Sequence, residues 1–221
     1  ISGLQTLAHP PLVGYLPQGS TNDFAASLKI PSDPAKAAEA IVCGQIRQLD
    51  IGCFGKRVFV YVASFGAFTR TSYAASQDMK NVLGHFGYLL EGIRDLDTLR
   101  PYTVRITADG ERLDGDYLFG AVANSTSIAG MMKLDGEQVV LDDGRFELLL
   151  VPNPKNAAEL QNLIWALLNQ QYDAGGLIFR HVTALHVETD EDLPWSLDGE
   201  YAPSRPAVDI TNRQRALTML L

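Results

Sequence analysis

The sequence predicts an α+β fold that is mainly β, with a short α/β segment over residues 1–44 ahead of a β-sandwich domain over residues 45–221. Three observations carry that expectation. From residue 45 onward, short β-rich runs alternate with Asp-Gly pairs, the pattern of strands joined by tight turns. After that point helical periodicity is confined to residues 76–97 and 156–171. The opening segment instead sets an apolar run, a Gly turn and helix signals in succession, as α/β units do.

Residues 1–8 read as the end of a helix, and residues 12–16, with Leu12, Val13, Tyr15 and Leu16, as a buried strand. A Pro17-Gln18-Gly19 turn leads into a short helix carrying Phe24, Ala25 and Leu28 and stopped by Pro31. Asp33-Pro34 places an N-cap acid before a Pro at the first helical position, starting a helix with Ala37, Ala38 and Ile41 on one face that runs to Gly44. Residues 46–51 and 58–65 form a hairpin parted by Gly52 and Gly55. Over 76–97, Met79, Val82, Leu83, Phe86, Leu89, Leu90, Ile93 and Leu96 recur at helical spacing as a core-facing stripe. Strands are expected at 103–107, 117–124, 138–141 and 146–151, with turns at Asp109-Gly110, Asp114-Gly115, Asp135-Gly136 and Asp143-Gly144. A helix over 156–171 turns Leu160, Leu163, Ile164, Leu167 and Leu168 inward, and strands at 181–188, 208–211 and 216–221 complete the chain.

With 221 residues and 46% apolar side chains the chain can bury a core of one or two domains. A formal charge of −8 argues against nucleic acid as a partner, because a phosphate backbone needs a basic surface. No apolar run reaches the roughly 18 residues that span a bilayer, and no signal-peptide pattern opens the chain, so the cytoplasm is the expected location. Cys43 and Cys53 have neither disulfide-framework nor zinc spacing. The chain opens at Ile1 without an initiator Met and in mid-helix style, which suggests a fragment of a longer protein.

Gly19 permits close backbone approach to a ligand, and Ser20, Thr21 or Asn22 can cap the following helix, leaving its free N–H groups toward an anion; an ordinary capped turn fits the same residues. Acids gather at three places. They are Asn22-Asp23, Asp142-Asp143-Gly144-Arg145 and Asp198-Gly199-Glu200. The second offers an acid and backbone carbonyls suited to Mg²⁺ or Ca²⁺, and the third pairs two carboxylates across a Gly. Each pair also fits a plain structural turn. His9, His85, His181 and His186 form no metal or triad pattern.

In combination these segments resemble a known family. Leu16-Pro17-Gln18-Gly19-Ser20-Thr21-Asn22-Asp23-Phe24-Ala25 followed by Leu28-Lys29-Ile30-Pro31 is similar to the LPxGTxNDxAR…GIP segment of the diacylglycerol kinase catalytic family, which includes bacterial lipid kinases and sphingosine kinases. The resemblance continues through Ala63-Ser64-Phe65-Gly66, Lys80-Asn81-Val82-Leu83-Gly84 with Tyr88, Ala123-Asn124-Ser125 before Ala129-Gly130, Leu141-Asp142-Asp143-Gly144 and Asp198-Gly199-Glu200.

The resemblance implies an ATP- and Mg²⁺-dependent lipid kinase in which residues 1–44 are the remnant of an α/β nucleotide-binding domain. ATP and a lipid alcohol would meet in the cleft beside the sandwich, at the cytoplasmic membrane surface. It places Ser20 at the family's nucleotide-contacting Thr, next to Gly19, and Asn22 and Asp23 at its cleft pair. Val140 and Arg145, through carbonyls, and Asp143 match a structural Mg²⁺ site. Asp198 and Glu200 match the acids that activate the lipid hydroxyl, Glu200 as proton acceptor. This inventory suits phosphoryl transfer, which needs positioning, Mg²⁺ and a base. Ser20 departs from Thr but keeps the hydroxyl, and Ala26 stands where the family has Arg. The family's Gly-Gly-Asp-Gly-Thr loop would lie upstream of Ile1, so the chain alone is expected not to bind ATP normally. A non-catalytic lipid- or ligand-binding sandwich is the rival reading, and the oligomeric state is left open, a homodimer included.

Overall fold

A computed structural model describes residues 1–19, 22–66, 100–128, 132–134 and 139–221. The expected helix over 76–97, with His85, Lys80-Asn81 and Tyr88, lies outside them, as do Ser20, Thr21, Ala129-Gly130 and the Asp135-Gly136 turn. The protein is mainly β, as expected, and among the described residues the α-helices are α1 (Asp23–Ser27), α2 (Pro34–Cys43) and α3 (Ala157–Leu168).

Local chemistry sets the helix starts. At α2 the Asp33 carboxylate accepts the Lys36 N–H at 2.9 Å with Pro34 at the first position. At α3 Asn156 accepts the Glu159 N–H at 3.0 Å while Glu159 reaches back to the Lys155 N–H at 2.8 Å, a reciprocal cap. Leu160, Leu163, Ile164 and Leu167 of α3 are buried, but Leu168 is 47% exposed, the one inward residue of that stripe the fold leaves out.

The strands are β1 (Ile46–Phe54), β2 (Arg57–Phe59), β3 (Val62–Gly66), β4 (Tyr102–Ala108), β5 (Glu111–Arg112), β6 (Gly115–Ala123), β7 (Ser127–Ile128), β8 (Met132–Lys133), β9 (Phe146–Pro152), β10 (Ile178–Val182), β11 (Ala184–Glu188), β12 (Trp195–Leu197), β13 (Glu200–Ala202) and β14 (Ala207–Leu220). The order β13-β12-β3-β6-β4-β11-β14-β1-β2 is antiparallel throughout, with β9 also on β6 and β10 on β9. The sheet folds over at β4. Its Tyr102, Thr103 and Val104 pair with β6, whereas Arg105 to Ala108 pair with β11, so one strand serves both layers.

Between the layers Trp195 is 1% exposed, with Phe54 and Phe65 edge-on at 5.0 Å on either side. Losing that indole would cost about 3–5 kcal/mol. A second cluster holds Leu49, Ile51, Phe119, Leu149 and Val151 against Leu160 and Ile164 of α3.

Several expectations need correction. Residues 12–16 form no strand: Val13 makes a single bridge to Met219, and Leu12 and Leu16 are exposed. Residues 1–8 hold only a 3-10 turn, Leu4–Thr6. Gly52 does not part a hairpin but lies inside β1, where the Phe59 ring fills the space a side chain would need. Residues 139–141 are not in a strand, because the chain there turns toward Asp142 instead. His181 and His186 lie on separate strands, β10 and β11, and the last two expected strands are one, β14.

Candidate functional site

The turn before α1 is closed by Asn22, whose Oδ1 accepts the Gly19 N–H at 2.7 Å. Asn22 sits at φ +53, a left-handed conformation that Asn tolerates, and makes no side-chain cap to the helix. Asp23 is buried, and Ser127 Oγ donates to its Oδ1 at 2.7 Å. Its Oδ2 is buried, with the Tyr61 phenol beside the carboxylate. At five residues α1 offers little macrodipole, so any anion here would depend on individual donors.

Asp198 and Gly199 form the two-residue turn between β12 and β13, with φ +51 and +88, the pattern that Asp-Gly supplies. The Asp198 carboxylate folds inward and accepts three backbone N–H groups, Val60 at 2.7 Å, Tyr61 at 2.9 Å and Val62 at 3.0 Å. Burial, helped by the charge of Glu200, holds Asp198 above the ordinary carboxylate range against the pull of those donors. Glu200 points the other way. Its side chain is 84% exposed and 3.9 Å from Arg57 Nη2. The two acids are electrostatic neighbours that do not face one point.

Tyr61 ties these pieces together. Its N–H is bound by Asp198, and its carbonyl accepts the Asn124 N–H at 2.9 Å. Burial first, then the charges of Asp23 and Asp198, lift its phenol well above the usual tyrosine value. The structure therefore brings Asp23 and Asp198 to Tyr61 in the β2–β3 connection, while Glu200 stands outside it, nearest Arg57 of β2. Tyr61 was missed because nothing in its local sequence marks it.

The Asp143-Gly144 turn is a second centre. Asp143 Oδ1 accepts the Arg145 N–H at 2.9 Å, and Arg145's carbonyl accepts Asn212 Nδ2 at 3.2 Å. Asp50, a buried acid within β1, takes the Gly144 N–H at 2.6 Å, the Arg215 N–H at 2.7 Å and Asn212 Nδ2 at 3.3 Å. Asn124 Nδ2 reaches the carbonyls of Asp50 at 3.1 Å and Leu141 at 3.3 Å. Asp143 adds negative potential to two acids that burial already raises, Asp50 and Glu147, the latter pushed up to about 8. Among the described residues no three His, Cys, Asp or Glu side chains converge on one point. A cation would therefore have to draw on backbone carbonyls beside Asp143. A carboxylate beside backbone carbonyls is the kind of donor set a hard cation such as Mg²⁺ takes, and here Asp143 Oδ1 is engaged by the Arg145 N–H and the Arg145 carbonyl by Asn212.

Residues 1–54 match the family described as the diacylglycerol kinase catalytic domain, and residues 62–221 match the YegS C-terminal NAD kinase beta sandwich-like domain. The sequence is 32% identical over 207 residues to a diacylglycerol kinase of Bacillus subtilis (strain 168), covering 93% of this chain and 68% of that protein. It is 31% identical over 208 residues to a diacylglycerol kinase of Staphylococcus carnosus (strain TM300), covering 94% and 67%. The chain thus spans about two thirds of the length of the curated relatives it matches. A crystal structure of a diacylglycerol kinase from Bacillus anthracis str. Sterne shares the fold at a TM-score of 0.73 and 24% identity, over 99% of this chain and 71% of that one. Among the described residues no helix is long and apolar enough to cross a membrane.

Proposed function

Because the chain belongs to the diacylglycerol kinase catalytic family, a family of lipid kinases, we propose that it carries the acceptor side of an ATP- and Mg²⁺-dependent kinase that phosphorylates the hydroxyl of diacylglycerol or a related lipid. The observation that carries this reading is Asp23. Its carboxylate is buried, with one oxygen fixed by Ser127 and the Tyr61 phenol beside it. A buried carboxylate with no ion-pair partner among the described residues is uncommon in folded proteins and suits a site completed by a ligand.

In this reading residues 1–44 close one wall of the nucleotide site and residues 45–221 form the sandwich that presents the lipid. Gly19, Ser20 and Asn22 contact the nucleotide, which, with Mg²⁺, supplies the phosphoryl group and neutralises its charge. Asp23 orients the acceptor hydroxyl. Glu200 takes the proton from that hydroxyl, and its exposure suits a group that must meet a substrate arriving from the membrane. Asp198 acts indirectly, by holding the β12–β13 turn that carries Glu200 against residues 60–62. Asp143, with the carbonyls of Val140 and Arg145, holds a structural Mg²⁺. The protein works at the cytoplasmic face of the membrane without spanning it.

The test is transfer of radiolabelled γ-phosphate from Mg-ATP to a panel of lipid alcohols in mixed micelles, using the full-length protein. Labelled lipid phosphate supports the reading. Tight lipid binding without transfer would favour a non-catalytic module instead.

A further inference from the structure

We propose that Ser127, braced by Ser125, is a positioning residue that fixes one oxygen of Asp23 so that the other is presented to the acceptor; this rests on the lipid-kinase reading. Ser127 lies 104 positions from Asp23 in sequence, yet its hydroxyl donates to Oδ1 at 2.7 Å. The corner that carries it is rigid. Ser125 Oγ accepts the Ser127 N–H at 3.1 Å and donates to the Ser127 carbonyl at 2.7 Å, and Ser125 is fully buried.

The same corner grips the far end of α1. Ser27 Oγ donates to the Asp23 carbonyl at 2.9 Å, stands 2.8 Å from Ser125 Oγ and accepts the Thr126 N–H at 3.2 Å. Asp23 and Ser27, the first and last residues of α1, are therefore both fastened to residues 125–127. With Oδ1 tied to Ser127 and both ends of α1 tied to residues 125–127, the Asp23 carboxylate keeps its place against that corner. A serine that merely filled space would need no hydroxyl, whereas a positioning serine acts only through Asp23.

The experiment compares Ser127→Val, Ser127→Thr, Asp23→Asn and the Ser127→Val/Asp23→Asn double variant, in the full-length protein, with Mg-ATP and 1,2-diacylglycerol micelles. Expected are a fall in kcat of about 10- to 100-fold for Ser127→Val with KM for ATP unchanged, recovery in Ser127→Thr, and no further loss when Val is added to Asp23→Asn. Wild-type kcat in Ser127→Val, or an equal loss in the Asp23→Asn background, overturns the proposal. If the wild-type protein phosphorylates no lipid alcohol, the lipid-kinase reading has failed, and thermal unfolding of the same variants decides the clamp alone. Non-additive losses of Tm for the two sites then sustain it, and additive losses remove it.

Discussion

The Asp198 carboxylate accepts the Tyr61 N–H at 2.9 Å, so an acid from one hairpin turn organises the connection between two strands more than 130 residues earlier. Because Val60 and Val62 donate to the same group, Asp198 serves the placement of Glu200 and Tyr61 together. Its inward aim separates the roles of two acids that sequence spacing makes look alike.

Replacing Asp198 should reveal this. Asp198→Ala leaves three N–H groups without an acceptor and puts Ala at φ +51, and it is expected to cost about 2–4 kcal/mol in urea unfolding. Asp198→Asn keeps an acceptor and tolerates that backbone, so its loss should be less than half as large. Wild-type stability in Asp198→Ala would mean that the carboxylate is not the binding element.

Asp50 anchors the second centre in the same way. Asp50→Ala removes the acceptor for Gly144, Arg215 and Asn212, and a loss of about 2–4 kcal/mol is expected. Amide exchange at Gly144 and Arg215 should accelerate together, since one group protects both.

Millimolar Mg²⁺ is expected to raise the Tm of the wild type and not that of Asp143→Ala. The same Mg²⁺ response in both proteins would remove Asp143 from the cation site.

On the opposite face His186 Nδ1 lies 2.7 Å from Asp209 Oδ1, and Nε2 lies 3.3 Å from Glu188 Oε1. The hydrogen bond to Asp209, then that to Glu188, raises the imidazole above its ordinary value. The folded value exceeds the unfolded one, so this contribution to stability is complete below about pH 6.5 and fades as pH rises through the folded pKa. Asp209→Asn should lower the His186 titration midpoint seen by NMR and flatten stability across that window. The stability effect is small because both partners are exposed.

What the sequence made legible was local. Asp33 and Asn156 cap helices through residues three positions on, and Asp109-Gly110, Asp143-Gly144 and Asp198-Gly199 turn the chain within themselves. The apolar run at 12–16 misled because a strand needs a partner, and only Val13 finds one. Residues 212–215 fall between the expected strands 208–211 and 216–221 and lie inside β14. The pairing with β1 is irregular there, with Arg215 at φ +53 turning its N–H to Asp50. Asp50, Tyr61 and Ser127 gave no signal because their partners lie 165, 137 and 104 positions away. The acids Asp23, Asp143, Asp198 and Glu200 were visible as residues, while the inward aim of Asp198 and the outward aim of Glu200 belong to the folded hairpin.

The most direct test of lipid-kinase chemistry at this hairpin is kcat for phosphorylation of 1,2-diacylglycerol by Mg-ATP, measured side by side for the full-length wild-type protein and for Glu200→Gln. The account predicts turnover by the wild type and a loss of about 10²- to 10⁴-fold in Glu200→Gln with folding unchanged. No turnover by the wild type, or equal turnover by both proteins, would contradict it.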